Sequence, residues 1–264
     1  MRFEIMGPLR VVDGGETYTI GARKIEILLT VLLVRADSVV PAGELMKEIW
    51  GDVPPRRASA GLHVYISHVR KFLQRPGRDG GPVSTRSPGY VLQLGSDELD
   101  SRRFEQLMQQ GRAHARAGRH EPAAADFEQA LALWRGPQLD ECHGPVLQGF
   151  QTWLREARLE CLEMLVESRL ALGRHRETVN DLVRLTTEHP LRETFHQQLM
   201  LTLHRCGRRA DALRQYQVAR RLLDEELGLP PCRALQELHQ AILTADDDRL
   251  EPWSGPGQPV LSRG

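Results

Sequence analysis

The sequence contains no cysteine motif of the kind that builds a disulfide framework or a clustered metal site. The chain has 264 residues, and its four cysteines are far apart, at Cys142, Cys161, Cys206 and Cys232. This spacing is typical of a protein from a reducing compartment. Long apolar runs are also missing: residues 27–34 form the longest, Thr30 interrupts it, and a membrane span needs about 20 residues. Glu4 falls where a signal peptide would need an apolar stretch. We expect a cytoplasmic protein without a membrane segment.

Motifs for cofactor chemistry and for catalysis are absent as well. The chain has no G-x-x-x-x-G-K-[ST] phosphate loop, no H-E-x-x-H, no G-x-S-x-G and no G-x-G-x-x-G. Cys142-His143 and the pair His204 and Cys206 come nearest to metal ligands, but no four-ligand spacing joins them. We therefore predict that the protein is not an enzyme and that it uses no cofactor and no metal.

Net charge is the third absence, since 35 Lys and Arg residues balance 35 Asp and Glu residues. The 41% hydrophobic content can supply a core, and the length predicts about two domains. The charge is uneven along the chain, however: residues 56–86 hold seven basic side chains and one acid, Asp79. Such a stretch in a neutral chain is typical of phosphate-backbone binding, with an ordinary solvated surface as the alternative.

The first 95 residues have the element order of a winged helix-turn-helix. A strand-like opening with a hairpin break at Asp13 precedes a first helix from Arg23, and a second helix ends before Gly51. A third helix is predicted over residues 56–74, and residues 83–94 form a hairpin through a type II turn at Ser87-Pro88-Gly89. In winged helices the third helix enters the major groove and the hairpin reaches the neighbouring minor groove.

The third helix divides into an apolar face and a polar face. Its apolar positions are spaced 4, 3 and 4 residues apart, at Leu62, Ile66, Val69 and Leu73. The opposite side carries basic, hydroxyl and imidazole side chains around one valine, at Arg56, Arg57, Ala60, His63, Val64, Ser67, His68, Arg70 and Lys71. Such side chains bind phosphates and base edges, and a valine methyl can meet the thymine methyl. A surface helix with long solvated arginines is the alternative interpretation.

The rest of the chain repeats with the period of tetratricopeptide units. Gly173-Arg174 and Gly207-Arg208 are 34 residues apart, and Gly118-Arg119 is an earlier copy separated by an insertion over residues 135–150. The side chains that follow each glycine recur in size: a small one five residues later, a large one nine residues later and a small one twelve residues later. These positions are Ala123, Thr178 and Ala212, then Phe127, Leu182 and Tyr216, then Ala130, Leu185 and Ala219. The middle copy departs from the pattern, because Thr178 and Leu185 replace alanine. We predict stacked helix pairs, with a generic helical bundle as the alternative. Stacked pairs typically bind peptides or protein domains.

These segments together resemble the Streptomyces antibiotic regulatory proteins. The resemblance lies in Arg23-Lys24, Glu48-Ile49-Trp50-Gly51, residues 62–73 and Thr85-Arg86-Ser87-Pro88-Gly89-Tyr90. It implies a mainly α fold with a small β component: an OmpR-type winged helix over residues 1–95, an all-α tetratricopeptide-like activation domain over residues 96–248, and a disordered tail over residues 249–264. Arg23, Lys24 and Arg86 join the predicted DNA-binding residues.

The resemblance also implies a role and partners. The expected role is activation of an antibiotic biosynthetic cluster by binding direct repeats of double-stranded DNA near promoters and recruiting RNA polymerase holoenzyme. Self-association would be weak, with a cooperative dimer on DNA in the nucleoid. The chain opens on the first strand, so no receiver domain is expected, and the sequence shows no acceptor for a phosphorylation switch. Two alternatives remain: an effector-responsive repressor, and a protein-interaction scaffold that uses the helical repeats.

Overall fold

A computed structural model describes residues 1–74, 81–136 and 144–244. The chain divides into two compact units. The first comprises Met1–Gln110 and Glu128–Cys161, and the second comprises Gly111–Phe127 and the chain from Leu162 onward. The described residues form helices with a few short strands, which confirms the predicted fold class. The predicted tail at 249–264 and the candidate ligands Cys142 and His143 lie outside the described residues.

The opening strands form a small sheet in the first unit. Strands β1 (Arg2–Glu4), β2 (Arg10–Asp13), β3 (Glu16–Tyr18) and β7 (Glu98–Leu99) lie in the order β3-β2-β1-β7. β1 runs antiparallel to β2, with Phe3 opposite Val11, and parallel to β7. Both Phe3 and Val11 are fully buried, because residues directly opposite each other on paired strands lie on the same face of the sheet.

Three helices follow in the order that the sequence predicts. They are α1 (Arg23–Val34), α2 (Ala42–Trp50) and α3 (Ala58–Leu73). Gly51 ends α2 with a φ of 72°, a conformation that favours glycine. Helix α3 is two residues shorter at its start than predicted, so Arg56 and Arg57 precede it. The apolar stripe of α3 is buried as expected.

The wing is a hairpin of β5 (Val83–Arg86) and β6 (Gly89–Leu92), and β6 also pairs with the two-residue strand β4 (Val40–Pro41). The predicted type II turn is wrong. Gly89 already pairs with Arg86 in the ladder, so Ser87 and Pro88 are the central turn residues, and the bond between them is cis, as in a type VI turn. Gly89 is required because a Cβ there would overlap the Val40 carbonyl.

The remaining helices form successive pairs joined by tight glycine turns. They are α4 (Asp100–Arg116), α5 (His120–Ala132), α6 (Pro145–Ala171), α7 (His175–Glu188), α8 (Glu193–Arg205), α9 (Arg209–Leu227) and α10 (Arg233–Thr244). The turn glycines Gly118, Gly173 and Gly207 have φ values of 69°, 75° and 76°. After each of them, the arginine N–H donates to the carbonyl five residues earlier. Three equivalent turns confirm the predicted repeat.

The repeat positions predicted to be packed are buried in all three copies. The residues five and twelve positions after each glycine are at most 2% exposed, and Tyr216 is the most exposed of the large ones at 9%. In the middle copy, the Thr178 hydroxyl donates to the Arg174 carbonyl at 2.7 Å. Because this buried hydroxyl has a hydrogen-bond partner, threonine can occupy the position where the other copies have alanine.

The insertion was expected to loop as far as residue 150, and that expectation is wrong in its second half. Helix α6 begins at Pro145, because proline suits the first turn of a helix and because a distant carboxylate, described below, caps the helix. Residues 137–143 of the insertion lie outside the described chain.

Candidate nucleic-acid interface

Helix α3 has a buried side and an exposed side, separated as its periodicity predicts. Leu62, Ile66, Val69 and Leu73 are at most 1% exposed. Val64, on the other side, is 52% exposed, and His63, Ser67 and His68 are exposed with it. Val64 is therefore a surface side chain on a polar helix face, available to a partner outside the chain.

The exposed side of α3 is positively charged. Helix α3 contains no Asp or Glu, while Arg56 and Arg57 precede it and Lys71 lies near its end. All three are exposed, as is Arg86 at the end of β5. Within residues 1–74, 81–136 and 144–244, none of these four side chains has an ion-pair partner. Exposed cations without an acidic partner attract an anionic partner.

Arg70 is placed differently from the other predicted site residues. It is half-buried, its Nε donates to the Val83 carbonyl at 3.0 Å, and its Nη2 donates to the Thr85 hydroxyl at 2.8 Å. The guanidinium carbon lies 6.0 Å from the centroid of the Tyr90 ring. Arg70 therefore connects α3 to the wing.

Arg23 and Lys24 lie at the start of α1, and both are exposed. Arg23 is 3.7 Å from the Glu26 carboxylate. The Lys24 ammonium lies 5.5 Å from the centroid of the Trp50 ring, and that ring stacks on Tyr65 of α3 with a centroid separation of 5.7 Å. Through Trp50, the structure brings Lys24 close to α3.

Among the buried carboxylates of the first unit, Glu48 and Asp100 make long-range contacts that the sequence did not predict. Glu48 of α2 is 2% exposed; it accepts hydrogen bonds from the Val146 N–H at 2.7 Å and the Leu147 N–H at 3.3 Å, at the start of α6. Asp100, the first residue of α4, is 4% exposed and accepts from the N–H groups of Ile5 and Met6 at 2.8 and 2.9 Å.

Burial raises the pKa of both carboxyl groups above their ordinary values, although the hydrogen bonds from backbone N–H groups act in the opposite direction. Glu48 joins the helix-turn-helix to α6, and Asp100 joins the segment that follows β1 to α4. One signal was available for Glu48: it lies three residues after Leu45, on the buried side of α2. No local signal identifies its partners, which are nearly a hundred residues away.

The described residues offer no alternative site with metal chemistry, since no three His, Cys, Asp or Glu side chains come together there. Among the helices of the described segments, none is both long enough and apolar enough to cross a membrane. The candidate functional surface is the exposed, acid-free side of α3 together with the wing.

Family models match both parts of the chain. The bacterial transcriptional activator domain matches residues 99–243, and the C-terminal domain of transcriptional regulatory proteins matches residues 15–92. These matches define a transcriptional regulator in which a winged helix is followed by an activator domain.

Similar proteins narrow this class. The chain is 36% identical over 255 residues to the regulatory protein DnrI of Streptomyces peucetius, and the match covers 93% of each protein. It is 40% identical over 247 residues to the regulatory protein AfsR of Streptomyces coelicolor, which covers 93% of the chain and 24% of AfsR. The chain thus spans about a quarter of AfsR. It belongs to the Streptomyces antibiotic regulatory protein family, whose members are transcriptional regulators rather than enzymes.

A solved structure of a related regulator has the same fold. Mycobacterium tuberculosis EmbR, in complex with a low-affinity phosphopeptide, superposes with a TM-score of 0.88 at 31% sequence identity. The match covers 92% of this chain and 65% of the EmbR chain.

Proposed function

We propose that this protein is a sequence-specific DNA-binding transcriptional activator. The observation that carries the proposal is the acid-free, exposed face of α3, flanked by the exposed cations Arg56, Arg57 and Lys71 and by the wing. Helix α3 would lie in the major groove, and Arg86 on the wing would enter the adjacent minor groove. Residues 1–95 would form the DNA-binding domain and residues 96–248 the activation domain.

The site residues divide into two roles in this proposal. His63, Val64, Ser67 and His68 face the base edges, because they lie on the exposed side of α3 away from its core. The cations around them position the protein by contacting phosphates, which carry no sequence information; these are Arg23, Lys24, Arg56, Arg57, Lys71 and Arg86. Arg70 contributes to the same surface through the wing.

Membership of the family supports a proposal for the target and the partners. We propose that the protein binds direct repeats near promoters of an antibiotic biosynthetic cluster, recruits RNA polymerase holoenzyme and resides on the nucleoid. Direct repeats require protomers arranged head to tail, so self-association would be weak in solution and cooperative on DNA. Inserting about half a helical turn between two sites should abolish cooperativity, and inserting about 10 base pairs should restore it.

The test of DNA binding is a titration of Lys71→Ala and Arg86→Ala at several salt concentrations. If each side chain neutralises one phosphate, each substitution should make the negative slope of log K against log salt shallower by about one and weaken binding evenly across sequences. The matched control is Arg233→Ala, which removes an exposed cation that is paired with Glu237 at 2.6 Å in the other unit. Unchanged slopes for both interface variants would contradict this docking.

Two further outcomes separate the alternatives. A protein that shifts no fragment of its own genomic neighbourhood would be an interaction scaffold rather than a DNA-binding protein. Run-off transcription with purified polymerase distinguishes the other two roles, because an activator increases the transcript and a repressor decreases it.

A further inference from the structure

Arg70 lies at the edge of α3 that faces the wing, and its side chain contacts both wing strands. Its two hydrogen bonds reach the Val83 carbonyl and the Thr85 hydroxyl of β5. Its guanidinium lies beside the ring of Tyr90 on β6 at 6.0 Å, within range of a cation–π interaction. One side chain therefore spans the hairpin.

The inner side of the wing is held by burial, because Val83, Tyr90 and Leu92 belong to the hydrophobic core. The far end of β5 lacks this support, since Thr85 and Arg86 are exposed, and Arg70 reaches that end through its hydrogen bond to Thr85. Thr85 pairs with Tyr90 across the wing, so Arg70 holds both members of one cross-strand pair. Arg86 follows Thr85 directly and depends on the wing for its position.

The neighbouring cation, Lys71, gives the contrast. Lys71 is exposed and has no ion-pair partner in the described segments, whereas Arg70 is half-buried with two donors engaged. A planar guanidinium holds two acceptors in a fixed geometry that a lysine ammonium does not reproduce. The guanidinium of Arg70 therefore suits a fixed connection between α3 and β5.

We propose that Arg70 is a positioning residue that holds the wing against α3 and thereby presents Arg86 to DNA, without itself contacting DNA. This assignment rests on the proposed function, because a wing needs positioning only if it binds. In the protein without DNA, removal of the Arg70 side chain should make the wing more mobile.

The DNA-free test is hydrogen–deuterium exchange of peptides that cover residues 83–92. Arg70→Ala should speed exchange in these peptides, and Lys71→Ala should leave it unchanged. Thr85→Val, which removes the acceptor of one Arg70 hydrogen bond and retains the side-chain shape, should give an intermediate effect. Wing exchange unchanged in both Arg70→Ala and Thr85→Val would overturn the proposal, whether or not the protein binds DNA.

The DNA-bound test is a double-mutant cycle. Losing one phosphate contact weakens binding about fivefold near 0.15 M salt. Arg70→Ala and Arg86→Ala should each show this loss, and the double variant should show little more, because Arg70 acts through Arg86. The additive control is Lys71→Ala with Arg86→Ala, expected at about 25-fold since independent sites add. A 25-fold loss in the Arg70 double variant, or full rescue by Arg70→Lys, would identify Arg70 as a direct phosphate contact and refute the assignment.

Discussion

Replacing Glu48 tests how the helix-turn-helix is joined to α6. In Glu48→Gln, one oxygen still accepts from Val146, but an amide NH2 now faces an N–H in place of the second carboxylate oxygen. The geometry favours keeping the shorter 2.7 Å bond to Val146 and losing the 3.3 Å bond to Leu147. A lost hydrogen bond to a charged group costs about 1.5–3 kcal/mol, and removing a buried charge offsets part of that cost.

We therefore expect Glu48→Gln to lower the free energy of unfolding of the first unit by about 1–2 kcal/mol. Glu48→Ala leaves both N–H groups without an acceptor and opens a void, so we expect about 3 kcal/mol. Glu44→Gln is the matched control on the same helix. Its carboxylate is 3.9 Å from Arg35 at the surface, and such pairs contribute about 0–1 kcal/mol.

The assay is urea unfolding followed by tryptophan fluorescence. Trp50, Trp134 and Trp153 all lie in the same unit as Glu48, while Trp253 lies outside the described residues. The fluorescence transition should move to lower urea in the Glu48 variants and remain near the wild-type position in Glu44→Gln. A Glu48→Gln protein within about 0.5 kcal/mol of wild type would show that this carboxylate does not stabilise the junction.

Three further predictions concern exposure, close packing and pH. Val64→Asp should keep the circular dichroism of the wild type, because Val64 is 52% exposed, but should weaken specific DNA binding about tenfold or more in a gel shift; an unfolded variant would instead place Val64 in the core. Gly89→Ala should cost about 2 kcal/mol in urea unfolding, because its Cβ overlaps the Val40 carbonyl, whereas Gly43→Ala, with open space around it in α2, should be neutral or stabilising. Burial raises the pKa of Glu48 above its ordinary 4.5, so the folded state binds more protons and loses stability as pH rises from about 4.5 through the folded-state pKa. The stability advantage of wild type over Glu48→Ala, which has no group to titrate at this position, should therefore shrink across that range. An advantage in melting temperature that grows with pH would contradict this prediction.

Local periodicity explains what the sequence predicted well. The buried stripe of α3 follows from helical spacing alone, and the turns at Gly118, Gly173 and Gly207 follow from a repeated dipeptide whose glycine adopts a positive φ. In both cases, the information lies within a few residues of the feature that it specifies.

Features that depend on distant partners were not predictable in the same way. Arg70 has the charge and the hydrogen-bond donors of a DNA-contacting side chain, but the acceptors of its two hydrogen bonds lie 13 and 15 residues further along the chain, on the wing. Helix α6 begins at Pro145 among turn-forming residues because Glu48, nearly a hundred residues earlier, caps it. The turn at Pro88 depends on ladder register, since Gly89 pairs with Arg86 and is not a central turn residue. In each case, tertiary contacts decide between local alternatives.

Dimethyl sulfate footprinting of the full chain on DNA from its own genomic neighbourhood tests the central claim most directly. The reagent methylates guanine N7 in the major groove and adenine N3 in the minor groove, so one experiment reports on α3 and on the wing. We predict protected guanines flanked by protected adenines, repeated in the same orientation about one or two helical turns apart, with the adenine protection lost in Arg86→Ala. Absent protection, or protection arranged as an inverted repeat and unaffected by Arg86→Ala, would contradict this account.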